Sequence, residues 1–269
     1  MGSFLRGASP SRSPAEGSLT GRVALVSGGG RGIGRAISLA LAADGAAVAI
    51  NYRRDEDAAR DTVETIEAEG GTARMYPAPV DDFDRTAEMA ALVEDELGPV
   101  GILVNNAGIA SRGLSVVDTD PEELRRVVAT HAFGSHYLAK LLVPAMRQLG
   151  RGDIVMISST ATRGLAANGA PYNMAKSAME SLAVTLSKEE RAHGIRVNIV
   201  APGLVETEMG RRLVKATAGI TNMRVLDTSM PFGRVCQPED VARVVRFLVS
   251  DENTYLTGEK IYCDGGGPL

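Results

Sequence analysis

Residues 22–42 read RVALVSGGGRGIGRAISLALA: a Val-rich apolar run passes through clustered glycines into a segment of helical period. A strand that turns sharply into a helix in this way is the opening unit of a doubly wound α/β sheet. Gly28, Gly32 and Gly34 allow a tight turn and a close approach of the backbone. The free N–H groups and partial positive charge of the helix N-terminus then face whatever anion arrives, and a diphosphate suits that setting. The spacing is Gly-x-x-x-Gly-x-Gly rather than the commoner Gly-x-Gly-x-x-Gly. Such a turn is also compatible with a purely structural role, so the remainder of the chain has to decide.

Working outward, Val- and Ile-rich runs recur at AAVAINY, ARMYPAPV, GILVNNAG, DIVMISS, IRVNIVAPG and EKIYCDGG, separated by longer helix-period segments. These runs are continuously apolar rather than alternating, as expected of strands covered on both faces. The pattern predicts an α/β fold: a single doubly wound, Rossmann-type domain with a parallel sheet of about seven strands and helices on both faces. Helices are expected over 33–43, 55–69, 83–97, 121–149, 170–192 and 238–249. No interdomain linker interrupts them, so residues 20–269 read as one domain. Residues 1–19, rich in Ser, Pro, Gly and Arg, read as a disordered tail without the apolar stretch of a secretory signal. The segment 204–229 has mixed composition and a weak period, which suits a mobile substrate flap.

A net charge of −4 and a pI near 5.5 give no footprint for nucleic acid or an anionic membrane. No apolar run approaches the roughly 20 residues that span a bilayer. The two cysteines, Cys236 and Cys263, form no disulfide framework and suit packed or interface positions, consistent with a reducing cytoplasm. The three histidines, at 131, 136 and 193, accompany no Gly-x-Ser-x-Gly elbow, which excludes a serine hydrolase of that type. No set of Cys and His has the spacing of a metal site.

The second strand ends INYRRD, with Tyr52 where NAD-preferring dinucleotide folds carry an acid. Arg53 follows it and Arg31 precedes Gly32, so two guanidinium groups can converge on a 2′-phosphate, which favours NADP(H); solvated arginines are the alternative. Further on, PYNMAK sets Tyr172 and Lys176 four positions apart, on one helix face. An ammonium beside a phenol favours phenolate and can make an acid-base catalyst, although surface pairs of this spacing are common.

With SGGGRGIG, NNAG at 105–108, ISS at 157–159, YNMAK and APGLVET at 201–207 in this order, the chain resembles the short-chain dehydrogenases/reductases over nearly everything after the tail. The resemblance implies that Tyr172 exchanges a proton with a carbonyl or alcohol oxygen, that Lys176 lowers its pKa and grips the nicotinamide ribose, and that Ser159 orients the substrate oxygen. It implies cofactor contacts from Ser27, Gly28, Arg31, Gly32, Ile33, Gly34, Asn51, Tyr52, Arg53 and Val80. Asn105, Ala107 and Gly108 are expected at the adenosine ribose; Pro202, Gly203, Val205 and Thr207 at the nicotinamide amide and nearby phosphate. The ending PFGRVCQPEDVARVVRFLVSDENTYLTGEKIYCDGGG resembles that of 3-oxoacyl thioester reductases. His193, where carrier-protein reductases tend to carry a basic residue, argues against an acyl carrier protein as partner.

Two positions depart from the family pattern. His131, in ATHAFG, stands where the family commonly has Asn; it is either a proton relay titrating near neutrality or a buried structural residue. Pro79 stands where Asp often precedes the position of Val80 and offers no adenine contact. The expected protein is therefore an NADP(H)-dependent oxidoreductase acting on a small carbonyl or secondary alcohol, with a cofactor-binding regulatory protein of impaired catalysis as the alternative. A homotetramer or homodimer is expected, built on helices 121–149 and 170–192 and the C-terminal strand, with Leu138, Leu141, Leu142 and Met146 as an apolar face that could equally be core.

Overall fold

A computed structural model of the chain describes residues 18–267. Most of the segment expected to be a disordered tail lies outside them, but Leu19 is fully buried and its N–H donates to Asp44 O, so the packed chain begins earlier than residue 20. The elements are β1 (Val23–Val26), α1 (Gly32–Ala43), β2 (Ala47–Tyr52), α2 (Glu56–Ala68), β3 (Thr72–Pro77), α3 (Phe83–Leu97), β4 (Val100–Asn105), α4 (Pro121–Val128), α5 (Gly134–Met146), β5 (Gly152–Ile157), α6 (Ala161–Gly164), α7 (Ala170–Glu190), β6 (Ile195–Pro202), α8 (Glu208–Ala218), α9 (Pro238–Val249) and β7 (Lys260–Cys263). The strands form one parallel seven-stranded sheet in the order β3-β2-β1-β4-β5-β6-β7. Leu41, Ile66, Val245 and Leu248, from α1, α2 and α9, pack on one face. Val93, Leu142, Met146 and Met179, from α3, α5 and α7, cover the other. That accounts for the continuously apolar strands: neither face meets water.

Helix starts follow capping chemistry. The carboxylates of Asp55, Asp82 and Asp120 accept from Ala58, Arg85 and Glu122 N–H, and Pro121 sits where no helical N–H is needed. The long helix expected over 121–149 is not uniform, because a π-helical turn, Ala129–Phe133, lies between α4 and α5. One extra residue in the turn leaves the apolar stripe nearly in phase, so hydrophobic period alone cannot reveal it. Leu138, Leu142 and Met146 prove to be core against the sheet, and Leu141 is partly buried against the same cluster, so they supply no interface face. The 204–229 segment holds a regular helix, α8, and its Val214 and Met223 form a small core with Val235 beyond its end.

Because the chain leaves β1 toward β2 and β3 and returns to β4 on the other side, a crevice opens at the carboxyl ends of β1 and β4. The Gly-rich turn, the NNAG segment, Ser159 and the end of β6 all lie along that edge of the sheet.

Candidate active site

The Gly-rich turn is shaped for close approach. Gly28 and Gly32 have φ of +62° and +54°, the left-handed region in which a side chain is strained. A Cβ on Gly34 would lie 2.1 Å from Gly28 O. The N-cap of α1, Arg31, contributes no side-chain cap, which leaves the first helical N–H groups to an incoming anion. Asn106, which the sequence reading passed over, ties this turn to β4: its Nδ2 donates to Ser27 O at 2.9 Å and Gly28 O at 3.1 Å. The Ser27 hydroxyl accepts from the N–H groups of Asn106 and Ala107, so its role is to hold the turn. Asn51 likewise spends its side chain on the backbone, donating to Ala78 O and accepting from Gly28 N–H. Ile33 packs on the core, and Val80 lies beneath Gly134. The Nδ2 of Asn105, only 3% exposed, has no partner, and an orphaned buried donor in this crevice suits a ribose hydroxyl. Turn, helix end and orphaned amide together fit a dinucleotide.

The two arginines are engaged differently. Arg31 is held by Glu208 at 2.9 Å and Asp55 at 3.3 Å, which ties the glycine turn to the start of α8, whereas the exposed Arg53 forms no ion pair among the described residues. Tyr52 packs partly buried beside it. At the other end, Thr207 caps α8 by accepting from Gly210 N–H at 3.0 Å, and its methyl group faces Gly32. Val205 is bridged to Cys236, Gly203 N–H donates to Cys263 O, and Pro202 O accepts from Thr160 N–H. Cys236 and Cys263 are half-buried, free thiols.

Ser159, Tyr172 and Lys176 are brought together at the ends of β5 and α7. Ser159 lies near the Tyr172 phenol and favours its ionised form, yet burial is the larger effect and pushes the phenol upward from its usual range. Of the expected influences on Tyr172, burial prevails, and the one that opposes it comes from Ser159 rather than from Lys176. Lys176 is 4% exposed; its Nζ lies 5.7 Å from the Tyr172 ring centre and donates to Ile157 O at 2.6 Å. Burial brings it down to about 7, and only the Glu180 carboxylate opposes that. Instead of a fixed ammonium the site holds an amine poised to gain or lose a proton at neutral pH.

His131 sits on the π turn, 1% exposed, with its ring edge-to-face against Tyr172 at 5.3 Å and close against Gly108, where a Cβ would meet Cε1 at 2.4 Å. Its Nε2 lies 2.8 Å from Ile109 O and 3.2 Å from Ile109 N, and Nδ1 is buried without a partner among the described residues. Burial, aided by Lys176, lowers its pKa to about 3, so the expected titration near neutrality does not occur. The stability consequence has a definite sign. Between about 6.5 and about 3 the unfolded imidazole holds a proton that the native one refuses, so stability falls as pH falls, by about 1.4 kcal/mol per unit. From pH 6.5 to 5 the parent should lose about 2 kcal/mol that His131→Asn does not lose, read by urea unfolding.

A glycine-rich turn opening a helix and a cluster of Ser159, Tyr172 and Lys176 share one crevice of a Rossmann-type sheet. The family model described as Enoyl-(Acyl carrier protein) reductase matches residues 28–267. The chain is 38% identical over 245 residues to an acetoacetyl-CoA reductase of Shinella zoogloeoides, covering 91% of this chain and 98% of that protein. It is similar to the structure of an angucycline C-6 ketoreductase, LanV, with bound NADP (TM-score 0.84, 33% identity, 93% and 97% of the two chains). It is also similar to that of a 7α-hydroxysteroid dehydrogenase with NADH and 7-oxo glycochenodeoxycholic acid (TM-score 0.85, 29% identity, 93% and 95%). The chain belongs to the short-chain dehydrogenase/reductase family, whose members use nicotinamide cofactors.

Proposed function

We propose that this protein is an NADP(H)-dependent reductase of a 3-oxoacyl thioester or a similar small ketone. The observation that carries the reading is Ser159, Tyr172 and the buried Lys176 gathered at the sheet edge that bears the glycine turn, with Lys176 Nζ 5.7 Å from the Tyr172 ring centre. The nicotinamide supplies or accepts hydride at the carbonyl carbon. Tyr172 donates the proton that the carbonyl oxygen needs, so no free alkoxide forms, and Ser159 holds that oxygen in line. Lys176 offsets the charge left on the phenol, and Asn105 and the first N–H groups of α1 hold ribose and diphosphate. Likeness to the acetoacetyl-CoA reductase supports a thioester substrate. Following NADPH oxidation with acetoacetyl-CoA, against a panel of ketones, is the direct test; binding of NADPH with no carbonyl reduced would favour the regulatory alternative.

The NADP(H) preference rests on Arg53, exposed beside Tyr52 and without an ion pair among the described residues, with Arg31 already engaged by Glu208 and Asp55. NADPH should bind roughly ten-fold or more tightly than NADH, as charge-assisted contacts to a phosphate warrant. Arg53→Ala should remove more of that difference than Arg31→Ala; equal affinities in a fluorescence titration would overturn the preference.

Among the described residues no helix is long and apolar enough to cross a membrane, and a cytoplasmic location is part of the proposal. So is a homo-oligomer, a tetramer by preference. Exposed Phe133 and Met174 line an apolar groove with Leu124 and Val128 between α4 and α7, the helices expected to pair. A monomer in light scattering at micromolar concentration would refute it.

A further inference from the structure

Two turns below Tyr172 on α7, the Glu180 carboxylate gathers a set of polar groups that the proposed chemistry does not itself use. Ser158 Oγ donates to Glu180 Oε1 at 2.5 Å, and Lys260, at the start of β7, donates to Glu180 at 2.8 Å and to Thr162 Oγ1 at 2.6 Å. Thr162 Oγ1 lies 2.8 Å from Glu180 Oε1 and 2.9 Å from Ser159 O, so its single proton serves one of them at a time. Lys176, one turn closer to Tyr172, holds Ile157 O. Helix α7 therefore grips the 157–162 segment on both sides of Ser159, and the Ser159 hydroxyl is itself fixed by Ala161 N–H at 3.1 Å.

We propose that Glu180 and Lys260 form a positioning pair that seats Ser159 against Tyr172 and sets the charge felt by Lys176. The proposal rests on the reading of Ser159, Tyr172 and Lys176 given above. Both members of the pair are mostly buried, with side chains 16% and 22% exposed, so their charges are weakly screened. The groups facing Lys176 are few: Tyr172 and Glu180 on its own helix and His131 on the π turn, with Lys260 on β7 reaching it through Glu180. His131 is neutral at working pH, and Tyr172 is held in its neutral form by burial. Glu180 is thus the carboxylate that favours the ammonium, and Lys260 attenuates it.

The two members therefore act on Lys176 with opposite sign. In Glu180→Gln the amine loses its counter-charge, and the alkaline limb of kcat should move down by about one pH unit, the lower end of what a nearby charge does. In Lys260→Met the undiminished carboxylate should move that limb up, and the double variant should return it toward the parent. Loss of packing alone would not reverse in sign. The same shifts should appear without turnover in the 13C NMR titration of Lys176 Cε, assigned by its loss in Lys176→Met. Should Glu180→Gln fail to fold by circular dichroism, Glu180→Asp and Lys260→Met carry the comparison. Limbs and NMR titrations that stay in place, or that move in the same direction in both single variants, overturn the proposal. A parent enzyme inactive on every carbonyl would instead overturn the functional reading, and the NMR titration would still decide the pairing.

Discussion

Tyr172→Phe should leave a folded protein that binds dinucleotide with nearly parental affinity and reduces its carbonyl substrate at about a thousandth of the parental rate or less, the loss expected when a positioned proton donor is removed. A thousand-fold loss corresponds to about 4 kcal/mol of barrier. The ring's edge-to-face contact with His131 survives the change, whereas the hydroxyl that Ser159 acts on is lost. Stopped-flow turnover beside a fluorescence titration of NADPH separates the two effects. Near-parental turnover would sink the assignment of Tyr172 as the acid.

Gly34→Ala should be the most damaging single methyl in the cofactor crevice. Its Cβ would meet Gly28 O at 2.1 Å, Asn106 Nδ2 at 2.6 Å and Gly28 C at 2.9 Å. Two of these are backbone atoms that cannot rotate away, so the turn itself must open, at a cost of about 1–3 kcal/mol for overpacking. Opening the turn also displaces the N–H groups offered to the diphosphate, and NADPH affinity should fall by about a hundred-fold. Gly164→Ala is the matched control, since nothing lies within 4 Å of its added Cβ and its φ is ordinary. It should melt within about 0.5 kcal/mol of the parent. Unchanged NADPH binding in Gly34→Ala would show that the turn does not cradle the cofactor.

Much of the frame was legible because local chemistry and global fold agree. The glycine turn between a Val run and a helix, the capping aspartates and the doubly covered strands all carry signals within a few residues of themselves. Asn106 could have been read from NNAG as the partner of the glycine turn. Glu180 could have been noticed one turn past Lys176, but its partner Lys260 lies 80 positions away on β7, and no spacing rule links them. Helix α8 escaped notice because its apolar contacts, Val214 with Met223 and Val235, belong to a small core of its own.

The sequence by itself determined the doubly wound sheet, the crevice at its carboxyl edge and the candidacy of Ser159, Tyr172 and Lys176, since period, turn chemistry and motif order are properties of neighbouring residues. Only the tertiary structure decided how those groups are charged. Burial, which no local pattern encodes, takes Lys176 down to about 7, holds the Tyr172 phenol neutral and keeps His131 from titrating near neutrality. It also decided that Arg31 spends its charge on Asp55 and Glu208, and that Leu138, Leu142 and Met146 face the sheet instead of a partner. The physical reason is common to all of these: desolvation and ion pairing depend on what surrounds a group in space, and the chain brings those surroundings from distant positions.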